Sequence, residues 1–230
     1  MNPFSESLQF PSIFTFIIPK HLPENLDFLD LIEQKRNNKI KCLQTKKQFI
    51  WARFLVKTII SSYEHIHINS IRIKYSKNNK PFCENSSLHF NISHSHKLIT
   101  IAINKTPCGI DCEKLNKLKH LDRLSAKLIN ETESSILKKK THSKLLQFYF
   151  AWTTKESITK LENSTLFNTY KNISLTHITD NNILSKNHTS QKTYYSYWFR
   201  FKDHLINFTS HNNEKPLHID LTNKFTKSFL

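Results

Sequence analysis

Three carboxylates and two lysines stand out by type and spacing. Asp111 and Glu113 occupy alternate positions in the stretch Gly109-Ile110-Asp111-Cys112-Glu113-Lys114, and Glu156 lies between Lys155 and Lys160 in the stretch from Trp152 to Lys160. On a strand, alternate side chains share a face. Asp111 and Glu113 would then point one way and Ile110 and Cys112 the other, with the two acidic Cα atoms about 6.6 Å apart. A solvent-facing acidic pair opposite a buried pair has the same spacing. On a helix, Leu145, Phe148, Tyr149 and Trp152 form one apolar stripe, which Glu156 continues by one turn. A carboxylate on a core-facing stripe is costly unless it is paired or bound to metal. The same spacing also allows an exposed Glu156–Lys160 i,i+4 pair at the solvent end of the helix. If the three acids converge, oxygen-only ligands suit a hard divalent cation. Mg2+ would take water and a substrate phosphate to complete its octahedron, with the nearby lysines holding phosphate.

His89, His94 and His96 raise zinc as a rival. However, no structural-zinc spacing is present, and Cys42, Cys83, Cys108 and Cys112 contain no C-x-x-C. His94, in a serine-rich turn beside Lys97, is better placed to hydrogen-bond a phosphate. A single glycine in 230 residues excludes both the P-loop and the G-x-G-x-x-G cradle, so phosphates must be held by side chains and helix N-termini. The formal net charge of +16 calls for an anionic partner. The cysteine usage reads as a reduced, cytoplasmic chain. The opening residues lack a basic leader, and Ile13 to Ile18 is too short for a membrane span.

The elements that must position these residues follow from periodicity. Phe10 to Ile18 reads as a strand, Leu26 to about Lys41 as a helix, and Thr45 to Ser62 as a second helix opened by a Thr45–Gln48 capping box. Arg53 falls on the broad apolar face of that second helix, with Phe49, Val56 and Ile60. Ile66 to Tyr75 alternates as a half-exposed strand, and Lys77 to Pro81 is a turn. His89 to Ile92 is a short strand entering a Ser93–His96 turn. Leu98 to Ile103 and Cys108 to Glu113 read as a hairpin about a turn at Asn104 to Pro107. Leu118 to Leu137 is helical with a break near Asn130, and His142 to Leu161 is the strongest helix. Leu175 to Thr193 gives strand fragments and loops, and Tyr194 to Ser210 a hairpin turning near Lys202-Asp203. The pattern predicts an α+β protein of two similar α/β lobes, an N-terminal lobe over 1–106 and a C-terminal lobe over 107–230.

Four segments carry a family resemblance: Lys80-Pro81, Phe90 to Ser95 (FNISHS), Gly109 to Lys114 (GIDCEK) and Trp152 to Lys160 (WTTKESITK). In this order and at this spacing the chain resembles the 4'-phosphopantetheinyl transferases of the two-lobed, surfactin-synthetase-activating type, over roughly residues 75 to 165. The resemblance implies two lobes related by a pseudo-twofold with the active site in the cleft between them. It implies transfer of 4'-phosphopantetheine from coenzyme A to a serine of an apo acyl or peptidyl carrier protein, releasing 3',5'-adenosine bisphosphate. Matched residue by residue, Asp111, Glu113 and Glu156 are the implied Mg2+ ligands. Lys80, Ser93 and His94 are implied coenzyme A contacts, His94 near the 3'-phosphate, and Lys155 and Lys160 hold coenzyme A phosphates. Glu133 is implied to assist deprotonation of the serine, with Glu156 and Lys160 also catalytic. An acidic carrier suits the basic chain, and a monomer suffices because the two lobes supply the cleft.

Three positions depart from the family pattern. Asn79 replaces a glycine before Lys80-Pro81, His96 follows the SHS triplet, and Gln48 stands where the second helix usually offers coenzyme A an arginine, with Lys46 or Lys47 as substitutes. The alternative from another class is a basic nucleic-acid-binding protein without catalysis. It would bind with steep salt dependence and need no Asp111. That reading has the charge but no recognised binding motif, and the partners expected include no nucleic acid. A third possibility is a degenerate transferase that binds a carrier without catalysis, against which the intact acids argue.

Overall fold

The computed structural model describes residues 9–164 and 170–225, so the opening residues 1–7, expected to carry no basic leader, lie outside the described residues. The chain forms two compact units, one of residues 1–106 with 217–230 and the other of residues 107–216.

In the first unit, strands β1 (Ser12–Ile17), β4 (His89–Ser95) and β5 (Leu98–Asn104) form a sheet with β5 between the other two. All seven β5 residues are buried, which is why this run is apolar without alternation. Helix α1 (Leu31–Lys39) precedes the long α2 (Leu43–Glu64), and a short hairpin of β2 (Ile73–Tyr75) and β3 (Pro81–Cys83) follows a single 3-10 turn. The apolar face of α2 (Ile50, Trp51, Leu55, Ile59) packs with Phe14, Phe16, Ile99, Ile101 and Ile103 into one core. The capping box expected at Thr45 does not form. Helix α2 begins at Leu43 with no side-chain cap, and the box closes on α1 instead, where Asp30 caps the backbone of Glu33 and Glu33 returns the bond.

The second unit holds β6 (Cys108–Lys114), helices α3 (Leu121–Leu128), α4 (Glu131–Lys138) and α5 (Lys144–Leu161), then β7 (Ile173–Ile178), β8 (Asn182–Asn187), β9 (Thr193–Phe201) and β10 (His204–Ser210). Its sheet runs β6-β10-β9-β8-β7, antiparallel throughout. The hairpin expected from Tyr194 to Ser210 is present, turning at Lys202, whose φ is 53°.

The hairpin expected between β5 and β6 is not. Both edges of β5 are already paired, with β1 from Ser12↔Ile103 and with β4 from His89↔Asn104, so no edge is left for β6, which pairs with β10. A second difference concerns the C-terminal segment assigned to the C-terminal lobe. Strand β11 (Leu217–Asp220) lies parallel to β1 and completes the first unit's sheet in the order β11-β1-β5-β4. No helix among the described residues is long and apolar enough to cross a membrane.

Candidate functional site

The second unit brings β6 and α5 together around the chain's one glycine. A Cβ built on Gly109 would lie 1.9 Å from the Ser157 carbonyl oxygen and 2.9 Å from the Leu161 nitrogen, so only glycine lets the helix backbone approach the strand this closely. A buried polar ladder fixes the helix along the sheet. Asn207, opposite Asp111 in the β10–β6 register, donates from Nδ2 to Thr154 Oγ1 at 2.9 Å and accepts at Oδ1 from Ser157 Oγ at 3.1 Å. Ser157 Oγ also lies 2.6 Å from Thr209 Oγ1.

On this scaffold, Gly109, Asp111 and Glu113 share the face of β6 turned to α5. Lys160 Nζ donates to Asp111 Oδ1 at 2.7 Å, an ion pair between strand and helix. Trp152 Nε1 donates to Glu113 Oε1 at 3.2 Å. Burial first, and then the negative field of Asp111, push the Glu156 carboxyl up to about 7; Lys160 pulls the other way and Glu113 adds to the rise. Burial alone would lower Lys160, but the charge and hydrogen bond of Asp111 outweigh it and hold the ammonium above the usual lysine range. The three acids and Lys160 therefore act on one another electrostatically.

Among the described residues, no group of three His, Cys, Asp or Glu side chains is gathered tightly enough to hold a metal ion as it stands. The donor chemistry still fits a hard cation. The β6 face presents two carboxylates and α5 a third, Glu156, while Cys112 and Ile110 are buried as alternate residues of β6. Burial is the larger cause of the raised Glu156 carboxyl, and the part that comes from Asp111 and Glu113 is what a divalent cation would relieve. Lys160 supplies the positive charge on Asp111 in this structure.

Glu133 and Lys155, expected in the reaction, meet instead in one buried ion pair at 2.9 Å, with side chains 1% and 3% exposed. Glu133 is the third residue of an Asn130 capping box. Its Oε2 accepts from the Asn130 nitrogen at 3.0 Å and its Oε1 from the Leu175 nitrogen at 3.0 Å. Lys155 also donates to the Leu128 carbonyl at 2.8 Å. Burial lowers the Lys155 pKa, with Glu133 opposing. A carboxylate whose oxygens already accept from an ammonium and two amides is poorly suited to take a further proton. The pair clamps α4, α5 and β7 together beside a cavity of about 170 Å³. Sequence spacing gave no sign of it, because its partners come from four separate elements.

The first unit carries the remaining expected contacts. Lys80 follows Asn79 in a turn closed by Asn79 N to Ser76 O and Ser76 N to Lys80 O, both 2.9 Å, and Asn79 takes the left-handed conformation, φ 61°, of the glycine it replaces. Burial and then the Lys80 charge lower the His89 pKa, which places that ammonium near His89. The SHS triplet is strand rather than turn: β4 runs to Ser95, Ser93 is buried, His94 is exposed, and the turn falls at His96, φ 54°. Gln48 is buried at the end of β4. Its Nε2 donates to the His96 carbonyl at 2.9 Å, as Gln44 does at 2.8 Å, pinning the end of β4 to α2. Lys47 donates to the Lys20 carbonyl. A cavity of about 220 Å³ opens between α2 and β4, lined by Gln48, Phe49, Arg53, Pro81, Ile92 and His94 among others. Arg53, which the sequence placed on the apolar face of α2, is buried there beside Glu33, 3.2 Å from its Oε1; a cation on an apolar stripe demands such a partner.

Comparison with known proteins gives the same assignment from both units. Residues 107–215 match the family model described as the 4'-phosphopantetheinyl transferase superfamily, and residues 18–106 the model described as 4'-phosphopantetheinyl transferase, N-terminal. The chain is 28% identical over 149 residues to 4'-phosphopantetheinyl transferase Sfp of Bacillus subtilis (strain 168), covering 63% of this chain and 66% of that one. It is 28% identical over 135 residues to 4'-phosphopantetheinyl transferase HetI of Nostoc sp., covering 56% of each. To 4'-phosphopantetheinyl transferase gsp of Aneurinibacillus migulanus it is 30% identical over 107 residues, 46% of this chain and 44% of that one. The matches thus span between under half and just under two thirds of these relatives' lengths. With adjoining models meeting at the boundary between the two units, the chain belongs to the 4'-phosphopantetheinyl transferase superfamily.

Proposed function

We propose that this protein transfers 4'-phosphopantetheine from coenzyme A to a serine of an apo carrier protein. The observation that carries the reading is the placing of Asp111, Glu113, Glu156 and Lys160 on one strand–helix face. The relatives, each named a 4'-phosphopantetheinyl transferase, support it.

Asp111, Glu113 and Glu156 would hold Mg2+, which when bound supplies charge neutralisation for the pyrophosphate. The chain's own residues do the rest. Lys160, kept protonated beside Asp111, adds fixed positive charge where the phosphate charge develops. The serine Oγ forms a bond to the phosphorus that carries pantetheine, the bond from that phosphorus to the leaving bisphosphate breaks, and Glu156 takes the serine proton. Trp152 orients Glu113 from the next turn of α5. The buried Glu133–Lys155 pair maintains the scaffold. In the first unit, Lys80, Ser93 and His94 are assigned to coenzyme A. The surplus of positive charge, 34 basic against 18 acidic residues, suits capture of an acidic carrier by a single copy of the chain.

The test is mass spectrometry of apo acyl and peptidyl carriers after incubation with the protein, coenzyme A and Mg2+. The expected result is a gain of one phosphopantetheine, lost on chelation. An unmodified carrier of both kinds, with folded protein, overturns the reading.

A further inference from the structure

A cavity of about 440 Å³ lies in the second unit where α3, α4 and the start of α5 meet. Lys144, which lines it, opens α5, and Glu156 of the acidic face lies about 18 Å further along that helix. The chain is strongly basic beside the cavity, with Lys138, Lys139, Lys140, His142 and Lys144 in one short stretch. Their surroundings differ. Lys140 pairs with Asp180 at 3.0 Å and lies 5.2 Å from the centre of the Trp198 ring, so it is turned toward β9. Lys144 pairs with Asp122 at 3.0 Å and ties the start of α5 to α3. Lys138 and His142 line the cavity and have no hydrogen-bond or ion-pair partner among the described residues. Ser125, on the α3 wall, has a buried hydroxyl that is also without a partner among the described residues. A buried polar group left without a hydrogen bond is costly, and a ligand that meets it removes the cost.

We propose that this cavity binds a small sugar phosphate, its phosphate on Lys138 and His142 and its hydroxyls on Ser125 and Glu131. The volume falls in the range of sites that take a whole small molecule. An ammonium and an imidazole that no carboxylate engages suit a phosphate, which accepts from both. Glu131 also lines the cavity, and its carboxylate accepts no hydrogen bond among the described residues. The ligand must therefore bring donors of its own, which a bare inorganic anion lacks and sugar hydroxyls supply. No Phe, Tyr or Trp among the described residues lines the cavity, so a nucleotide base would find nothing to stack on. The wall that carries the two donors is built before a ligand arrives. Buried Gln147 donates to the Thr141 carbonyl at 2.7 Å and holds the turn between Lys138 and His142 against α5. This binding is separate from the transfer reaction proposed above and does not depend on it.

Titration calorimetry with ribose 5-phosphate, ribose and inorganic phosphate tests this without recourse to turnover. Wild type should bind ribose 5-phosphate at least about tenfold more tightly than either of the others, the range of a charge-assisted hydrogen bond. Lys138 and His142 are exposed and unpaired among the described residues, so Lys138→Met and His142→Gln should fold as wild type does. Each should weaken ribose 5-phosphate binding about tenfold and leave coenzyme A binding unchanged. Wild-type affinity for ribose 5-phosphate in both variants puts the phosphate elsewhere and overturns the site. Inorganic phosphate binding as tightly as the sugar phosphate overturns the hydroxylated ligand, and a wild type that binds none of the three overturns the whole proposal. A parallel loss of coenzyme A binding in the variants would join these side chains to the transferase site and overturn their separate role.

Discussion

Replacing Gly109 by alanine tests how the site is built. The added Cβ would meet the Ser157 carbonyl oxygen at 1.9 Å, against the 3.0 Å below which real Cβ contacts essentially never fall. Strand and helix must therefore separate by about 1 Å. The obstacle is backbone, so no side-chain rotation relieves it, and the cost belongs at the upper end of overpacking, about 3 kcal/mol. The same movement carries Glu156 and Lys160 away from Asp111 and loosens the Asn207–Ser157 ladder. A 1 Å misplacement of catalytic groups costs about a hundredfold in rate. Urea unfolding of Gly109→Ala should show a lower midpoint at unchanged slope, and carrier-modification assays a kcat lower by about two orders of magnitude with the KM for coenzyme A nearly unchanged. Wild-type stability and full turnover in this variant would falsify the reasoning, because the close approach of α5 to β6 would then have no part in the site.

Asp111→Ala should lower transfer by at least about a hundredfold while circular dichroism stays native; an active variant removes the metal assignment. Glu133→Gln should destabilise the protein by roughly 3–5 kcal/mol, because it leaves the Lys155 ammonium buried without its carboxylate, and Glu133→Gln with Lys155→Met should recover much of that in denaturant titrations. A stable Glu133→Gln protein that no longer turns over would return Glu133 to the chemistry. In metal-free protein, the raised Glu156 carboxyl binds its proton more tightly folded than unfolded. Its contribution is whole below about pH 4.5 and lost as pH rises through about 7, an increment of roughly 2–3 kcal/mol. Unfolding titrations across that window should show the decline in wild type and not in Glu156→Gln, and matching slopes in the two proteins refute it. Added salt should slow modification of an acidic carrier mainly through kcat/KM; an indifferent rate argues against electrostatic capture.

Much of the second unit's site was legible because its signals are local. Alternation placed Asp111 and Glu113 on one face, and the stripe through Trp152 aimed Glu156 toward them. What stayed hidden depends on distant partners. Adjacency in sequence suggested that β5 and β6 pair, but β5 already had two neighbours, one of them β1 from the start of the chain. Glu133 and Lys155 resemble reactive groups by position, and only the packing of four elements shows them satisfied by each other. Arg53 counted as one residue of an amphipathic face until Glu33, brought in by the capping box of α1, supplied its countercharge.

The return of residues 217–220 to β1 has a consequence for biogenesis. Ser12 is flanked in the sheet by Ile103 on one side and by Leu217 on the other, so the stretch between them is an insertion that leaves and re-enters the first unit at one end of its sheet. The inserted unit is contiguous and has its strands among the described residues in place by residue 210, whereas the first unit must keep a place beside β1 open until synthesis passes residue 220. During translation the host of the insertion is therefore the last part to be completed. Until then β1 presents an unpaired edge, the kind of surface that binds chaperones or other strands.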